Sequence, residues 1–166
     1  MPTIGIDPGL TGAVAVLSGT GTLEGLHDVP VLTLKVQRGT RMVYDVPGLV
    51  ALLEPYRGLQ VHVLIEESQA MPGQGTRSML TIGFGYGLWL GILATLQLPY
   101  TTVRPAVWKR SMGLGKDKEA SRLRAQQLYP GADLRLKKHH GRAEALLLAH
   151  YGLRQRSVPI TGGDSA

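Results

Sequence analysis

Cysteine is absent from this 166-residue chain, which excludes disulfides and thiolate metal sites and fits a reducing cytosol. Asparagine is absent as well, and arginine outnumbers lysine twelve to six, a bias that heat or a GC-rich genome would each produce. No basic-then-apolar signal segment opens the sequence and no lipidation box is present, so a cytoplasmic setting is expected. What remains is 43% hydrophobic, enough to build one domain with its own core.

The charge that is present is unevenly placed. Residues 1 to 103 carry five Lys/Arg against seven Asp/Glu, whereas residues 104 to 156 carry thirteen against four. An acidic set in front of a basic surface suits a metal site fed by a polyanion, and a solvated surface would mix the two signs more evenly.

The front half is organised around TIGIDPGLTGAVAVL, residues 3 to 17, where apolar alternation runs up to a lone carboxylate, Asp7, and resumes after Pro8-Gly9. The pattern predicts a β-hairpin with an acid at the end of its first strand. Such an acid either starts the turn or pairs with a cation, and other converging acids would decide between the two. A third strand is expected after the turn at 19 to 21. Residues 31 to 44 alternate again around Gln37-Arg38-Gly39, a small excursion at the sheet edge. Asp45 then caps a helix with Pro47 in its first turn. Val61, Val63 and Ile65 mark a strand that finishes in Glu66 and Glu67. Neighbouring strand residues face opposite ways, so only one of these can look toward Asp7. Glu66 is preferred, with Glu67 the alternative.

Residues 78 to 98 hold no charge and by length could span a membrane. The stretch is diluted by Gly, Thr and Gln, and strands that must share one sheet lie on both sides, so a helix crossing the sheet is expected instead. Gly83, Gly87 and Gly91 would give it a groove that a second copy could fill. After a short strand at 99 to 104, Trp108, Lys109, Arg110, Lys116, Lys118, Arg122 and Arg124 surround a glycine-containing loop and a helix ending at Pro130, a cluster suited to phosphate oxygens. The last helix is expected over Ala143 to Leu153, with Gly141 marking its entry. His140 and Glu144 lie four apart and would share a side if it begins early enough. Glu144 has a plainer explanation in the helix dipole, and His140 in capping. Taken with two strand-end acids, the pair would complete an oxygen-rich set for Mg²⁺ or Mn²⁺.

The strand IGIDPGLTGAVAV, the later LIE and the helix HGRAEALLLA resemble, in that order, the motifs of the RuvC-type Holliday junction resolvases, and MPGQG at 71 to 75 with the Trp108-Lys109 pair is similar to their phage branch. The resemblance implies an α/β RNase H-like fold over residues 1 to 156, with a mixed five-stranded sheet flanked by helices and a flexible tail at 157 to 166. It implies a homodimer that nicks four-way DNA junctions in a Mg²⁺-dependent reaction, leaving 5′-phosphate ends. By position, Asp7, Glu66 and Glu144 would be the catalytic acids holding two ions, joined by His140. Gln74, Arg77, Lys109, Lys116, Lys118 and Arg122 would contact the DNA. Two departures stand out. Gly141 occupies the place, three before the last acid, where bacterial members carry an acid or His, and Gln69 and Met71 stand where those members have an aromatic. A looser branched-DNA nuclease, a non-catalytic junction binder and an ATPase sharing the DPGLTG loop are the competing expectations.

Overall fold

The computed structural model describes residues 1–68 and 73–157. The expected tail therefore lies, all but its first residue, outside the described residues, as do Gln69 and Met71. Five strands form the main sheet: β1 (Thr3–Asp7), β2 (Ala13–Leu17), β3 (Leu23–Asp28), β6 (His62–Glu66) and β7 (Tyr100–Val103), in the order β3-β2-β1-β6-β7. The first three run antiparallel, and β6 and β7 add to β1 in parallel, so the sheet is mixed. Between β3 and β6 the chain makes a separate two-stranded sheet, β4 (Val31–Lys35) with β5 (Thr40–Tyr44). The excursion predicted at the sheet edge thus pairs with itself and does not join the main sheet.

Helices cover both faces. α1 (Val46–Leu53) and α2 (Thr76–Thr95) lie on one, where Ile4, Ile6, Val14, Val16, Val63 and Ile65 meet Leu49, Leu53, Trp89 and Leu93. Asp45 caps α1, its carboxylate accepting from the Gly48 N–H at 3.2 Å. On the other face, α3 (Pro105–Ser111), α4 (Lys118–Leu128) and α5 (His140–Ser157) pack over Ala13, Ala15, Leu17 and Leu64. Strand alternation sorts these sets, and it sends Gly5 and Asp7 of β1, with Leu64 and Glu66 of β6, toward α5.

α2 is long and apolar enough to cross a membrane by length and composition, and about a fifth of its apolar window is buried, 22%. It nevertheless joins β6 to β7, two parallel neighbours, a connection that must cross over one face of their sheet. Trp89, Ile92 and Leu93 bury against that face, while Met79, Leu80 and Phe84 stand exposed near its start.

α5 packs hardest. Ala143 through Ala149 are all buried, the pattern of a helix enclosed on every side. The approach depends on glycine: a Cβ at Gly5 would lie 2.2 Å from the Ala145 carbonyl oxygen, and one at Gly141 would lie 2.3 Å from that of Thr11. The helix also starts at His140 rather than Ala143, so Gly141 lies within it, where its missing side chain admits the β1–β2 turn.

Candidate active site

Asp7 ends β1 and opens a tight turn. Its carboxylate accepts from the Gly9 N–H at 3.2 Å, and the Pro8 carbonyl accepts from both the Tyr44 hydroxyl (2.9 Å) and the Trp89 indole N–H (3.2 Å). Two side chains from different elements thus fix the peptide next to the acid. The last paired residues of β1 and β6 are Ile6 and Ile65, so Asp7 and Glu66 follow at the same end of the sheet.

Glu66, not Glu67, turns toward Asp7. Its carboxylate accepts from the Trp108 indole N–H at 2.7 Å. Glu67 faces away, accepting from the Thr102 hydroxyl at 3.2 Å and lying 3.4 Å from Arg104. The third acid comes from α5: Glu144 is buried, 8% exposed, and pairs with the Lys109 ammonium at 2.6 Å. Because α5 begins at His140, Glu144 lies beyond the first turn, where the helix dipole does not account for it. A buried carboxylate in an apolar helix requires a partner, and Lys109 supplies it.

The three acids share one electrostatic environment. Burial, reinforced by the Glu144 charge, pushes Asp7 up to about 6. Burial, followed by the charges of Glu144 and Asp7, pushes Glu66 up to about 7. Lys109 opposes both shifts, and Lys118 opposes that of Asp7. Such crowded carboxylates are stabilised by a nearby cation. Among the described residues, however, no three His, Cys, Asp or Glu side chains stand together closely enough to hold an ion as they are. The donors are the hard oxygens that Mg²⁺ takes, but two of the acids are held by Trp108 and Lys109.

Other expected site residues fall elsewhere. His140 begins α5 with its Nδ1 buried and unpartnered, and its charge is among those that lower Glu119 of α4. The structure thus shows electrostatic coupling among the three acids, and places His140 one helical turn before Glu144 on α5. Arg122 is not a free phosphate contact. It donates to both oxygens of Glu119 and, at 2.7 Å, to the Leu134 carbonyl, bracing α4 to the following loop. Lys109, expected on the DNA surface, lies within the acid cluster, 5.1 Å from the Trp108 ring centre. Lys116 and Lys118 are exposed, as is Arg77 in the first turn of α2, and Gln74 lies just before that helix. The roles of Trp108 and Lys109 as carboxylate partners were missed. Their adjacency before the basic loop was visible, but nothing local pairs them with acids 42 and 35 residues away.

A further brace holds α5 at the site. Arg142 donates to both oxygens of Asp28 at the end of β3 (2.6 and 2.7 Å) and to Asp133 at 2.9 Å. The same contact holds the Asp28 carboxyl below the usual carboxylate range.

No protein-family profile matches the chain. By sequence it is 35% identical over 121 residues to the chloroplastic Holliday junction resolvase MOC1 of Chlamydomonas reinhardtii. That match covers 69% of this chain and 14% of the relative, so the chain spans about a seventh of the curated protein it resembles. By structure it is similar to Thermus thermophilus RuvC in complex with a Holliday junction substrate, with a TM-score of 0.64 at 18% identity over 95% of this chain and 96% of that one. A second Thermus thermophilus RuvC structure gives 0.58 at 19% identity, with the same coverage. With its mixed five-stranded sheet and helices on both faces, the chain has the RNase H-like fold of RuvC.

Proposed function

We propose that this chain is a RuvC-type endonuclease that resolves four-way DNA junctions by paired nicks. The observation that carries the reading is the meeting of Asp7, Glu66 and Glu144, from three separate elements, as mutually repelling carboxylates at one end of the sheet, with a basic loop and helix beside them. The sequence likeness to a Holliday junction resolvase supports it. When bound between these acids, two Mg²⁺ ions, or Mn²⁺ in their place, would supply an activated water and neutralise charge at the departing 3′ oxygen.

The remaining steps belong to the chain. Tyr44 and Trp89 fix the Asp7 turn, Trp108 holds Glu66, and Lys109 lends Glu144 a positive charge. Lys116 and Lys118 draw the phosphate backbone toward the acids without reading sequence. The expected products carry 5′-phosphate and 3′-hydroxyl ends. One small domain has sequence for one such site, and a junction needs two opposed nicks, so the working unit is a twofold homodimer. The exposed start of α2 and the open glycines beside it, at positions 83, 87 and 91, are the surface assigned to that contact. The phage affiliation rests on MPGQG and the Trp108-Lys109 pair. The setting assigned, the cytoplasm of a bacterium or of a phage-infected cell, rests on the absence of cysteine.

The test is incubation of purified protein with labelled four-way, three-way and linear duplex DNA, with and without Mg²⁺. Paired symmetric nicks in the four-way substrate alone, only with metal, are expected. Binding without nicking would make the protein a junction binder, and equal cutting of all three would make it a loose nuclease.

A further inference from the structure

Apart from Tyr44 at its base, the β4–β5 hairpin takes no part in the site as described, yet its chemistry is one-sided. From Val29 to Tyr44 there is no acid, while Lys35, Arg38 and Arg41 crowd its distal half. All three are exposed, and none forms an ion pair among the described residues. The pairing places Lys35 opposite Thr40 and Leu34 opposite Arg41, so the two strand cations project from opposite faces, with Arg38 in the connecting turn. Positive charge therefore surrounds the ribbon.

The base is firmly planted. The Asp45 N–H donates to the Pro30 carbonyl at 3.0 Å, closing the neck of the hairpin. Tyr44, the last residue of β5, is buried on α2 against Gly85 and reaches the Pro8 carbonyl next to Asp7. Beyond that neck the strands pair with each other and make little contact with any other element. Two strands of five residues carry the turn roughly 17 Å outward at about 3.4 Å per residue. Leu32, Leu34, Val36 and Met42 remain 44 to 48% exposed along its length.

We propose that this hairpin is a second DNA-binding element, which holds one duplex arm of the branched substrate while the strand-end acids act on the strand at the branch. A two-stranded ribbon fits the major groove, cations on both faces meet the phosphates on both of its walls, and exposed aliphatic side chains suit thymine methyls. Because the base of the hairpin is bonded to the peptide following Asp7, the arm it holds is the one leading into the site. Hairpin packed on hairpin from a second copy is disfavoured, since each would bring three cations and no acid.

The inference rests on the nuclease reading, and the experiment separates the two. Lys35, Arg38 and Arg41 are replaced together by Gln, and binding to four-way junctions is measured across a salt series without added divalent cation, so that the DNA stays whole. One junction has long arms, the other has arms trimmed to a few base pairs. On long arms the variant is expected to bind at least about tenfold more weakly, with the slope of log K against log salt reduced by up to about 2.7, or 0.9 for each lost phosphate contact. On trimmed arms variant and parent should match, and their melting temperatures should agree because the replaced side chains are exposed. An unchanged slope on long arms, with the parent binding well, overturns the hairpin's role and leaves the nuclease reading standing. So does a variant whose only change is its self-association in sedimentation, which would make the hairpin a subunit contact. A parent that binds neither junction overturns both.

Discussion

Among single residues, Asp7 should be the least replaceable. Asp7→Asn keeps the shape of the side chain and removes the charge a hard cation needs, so nicking in Mg²⁺ should fall to background while junction binding persists in a gel-shift assay. Glu66→Gln should behave the same way and Glu67→Gln should not, because Glu67 faces Thr102 and Arg104. Near-normal nicking by Asp7→Asn would remove it from the site. The raised carboxyls also have a stability consequence. Unfolded, both groups ionise near pH 4, whereas in the folded protein they hold their protons to about 6 and about 7. The metal-free protein should therefore lose stability as pH rises from about 4 to about 7, by roughly 3 kcal/mol for each group before their coupling is counted. By calorimetry in EDTA, the Asp7→Asn/Glu66→Gln double variant should melt above the parent at pH 8 and match it at pH 4. Parallel curves would show that the carboxyls are not under strain. Lys109 can be tested similarly: Lys109→Met leaves Glu144 buried without its partner, a loss of about 3 to 5 kcal/mol without metal. Mg²⁺ should restore more of that loss than it adds to the parent, and a thermal shift indifferent to Mg²⁺ would count against Glu144 as a ligand. The acids could be picked out in the sequence because each ends or interrupts an apolar run. Their partners could not, since local spacing does not show that Lys109 leaves the basic surface for Glu144, or that Arg122 turns inward to Glu119.

At the scale of elements, the strands could be read from their alternation and α1 from its Asp45 cap. The start of α5 could not. Gly141 looks like a boundary, but tertiary packing needs a residue without a side chain there, inside the helix, against the Thr11 carbonyl. α2 was legible as a crossing helix, though its degree of exposure was not. Its uncovered side carries the dimer prediction: Gly87→Lys, or Leu80→Lys, should yield a folded monomer by sedimentation that nicks a junction poorly or on one strand only. Gly87 has open space where a side chain would go, so the fold should tolerate the change. A dimer that survives both substitutions would place the contact elsewhere.

Across the whole molecule, the separation of charge along the chain becomes a separation in space only in part. The acids of the site come from residues 7, 66 and 144, and the last belongs to the basic half. The exposed cations Lys116 and Lys118 should govern long-range attraction. Neutralising both should weaken binding to every DNA tested and lower the salt slope by up to about 1.8, whatever the sequence at the branch. An unchanged slope would mean that this loop faces away from the substrate.

The seating of α5 on β1 has a consequence for how the protein is made. β1 and β6, neighbours in the finished sheet, are distant along the chain, and the helix that carries the third acid, which also covers Gly5, leaves the ribosome after both. Since synthesis adds residues from the N-terminus, a nascent chain holds Asp7 and Glu66 long before it can hold Glu144. Until α5 docks, the face of β1 below it is bare and the trio of acids is incomplete. A ribosome-bound chain stalled before residue 140 should therefore show neither nicking nor protection of the β1 amides in hydrogen exchange, so the proposed cleavage must wait for α5.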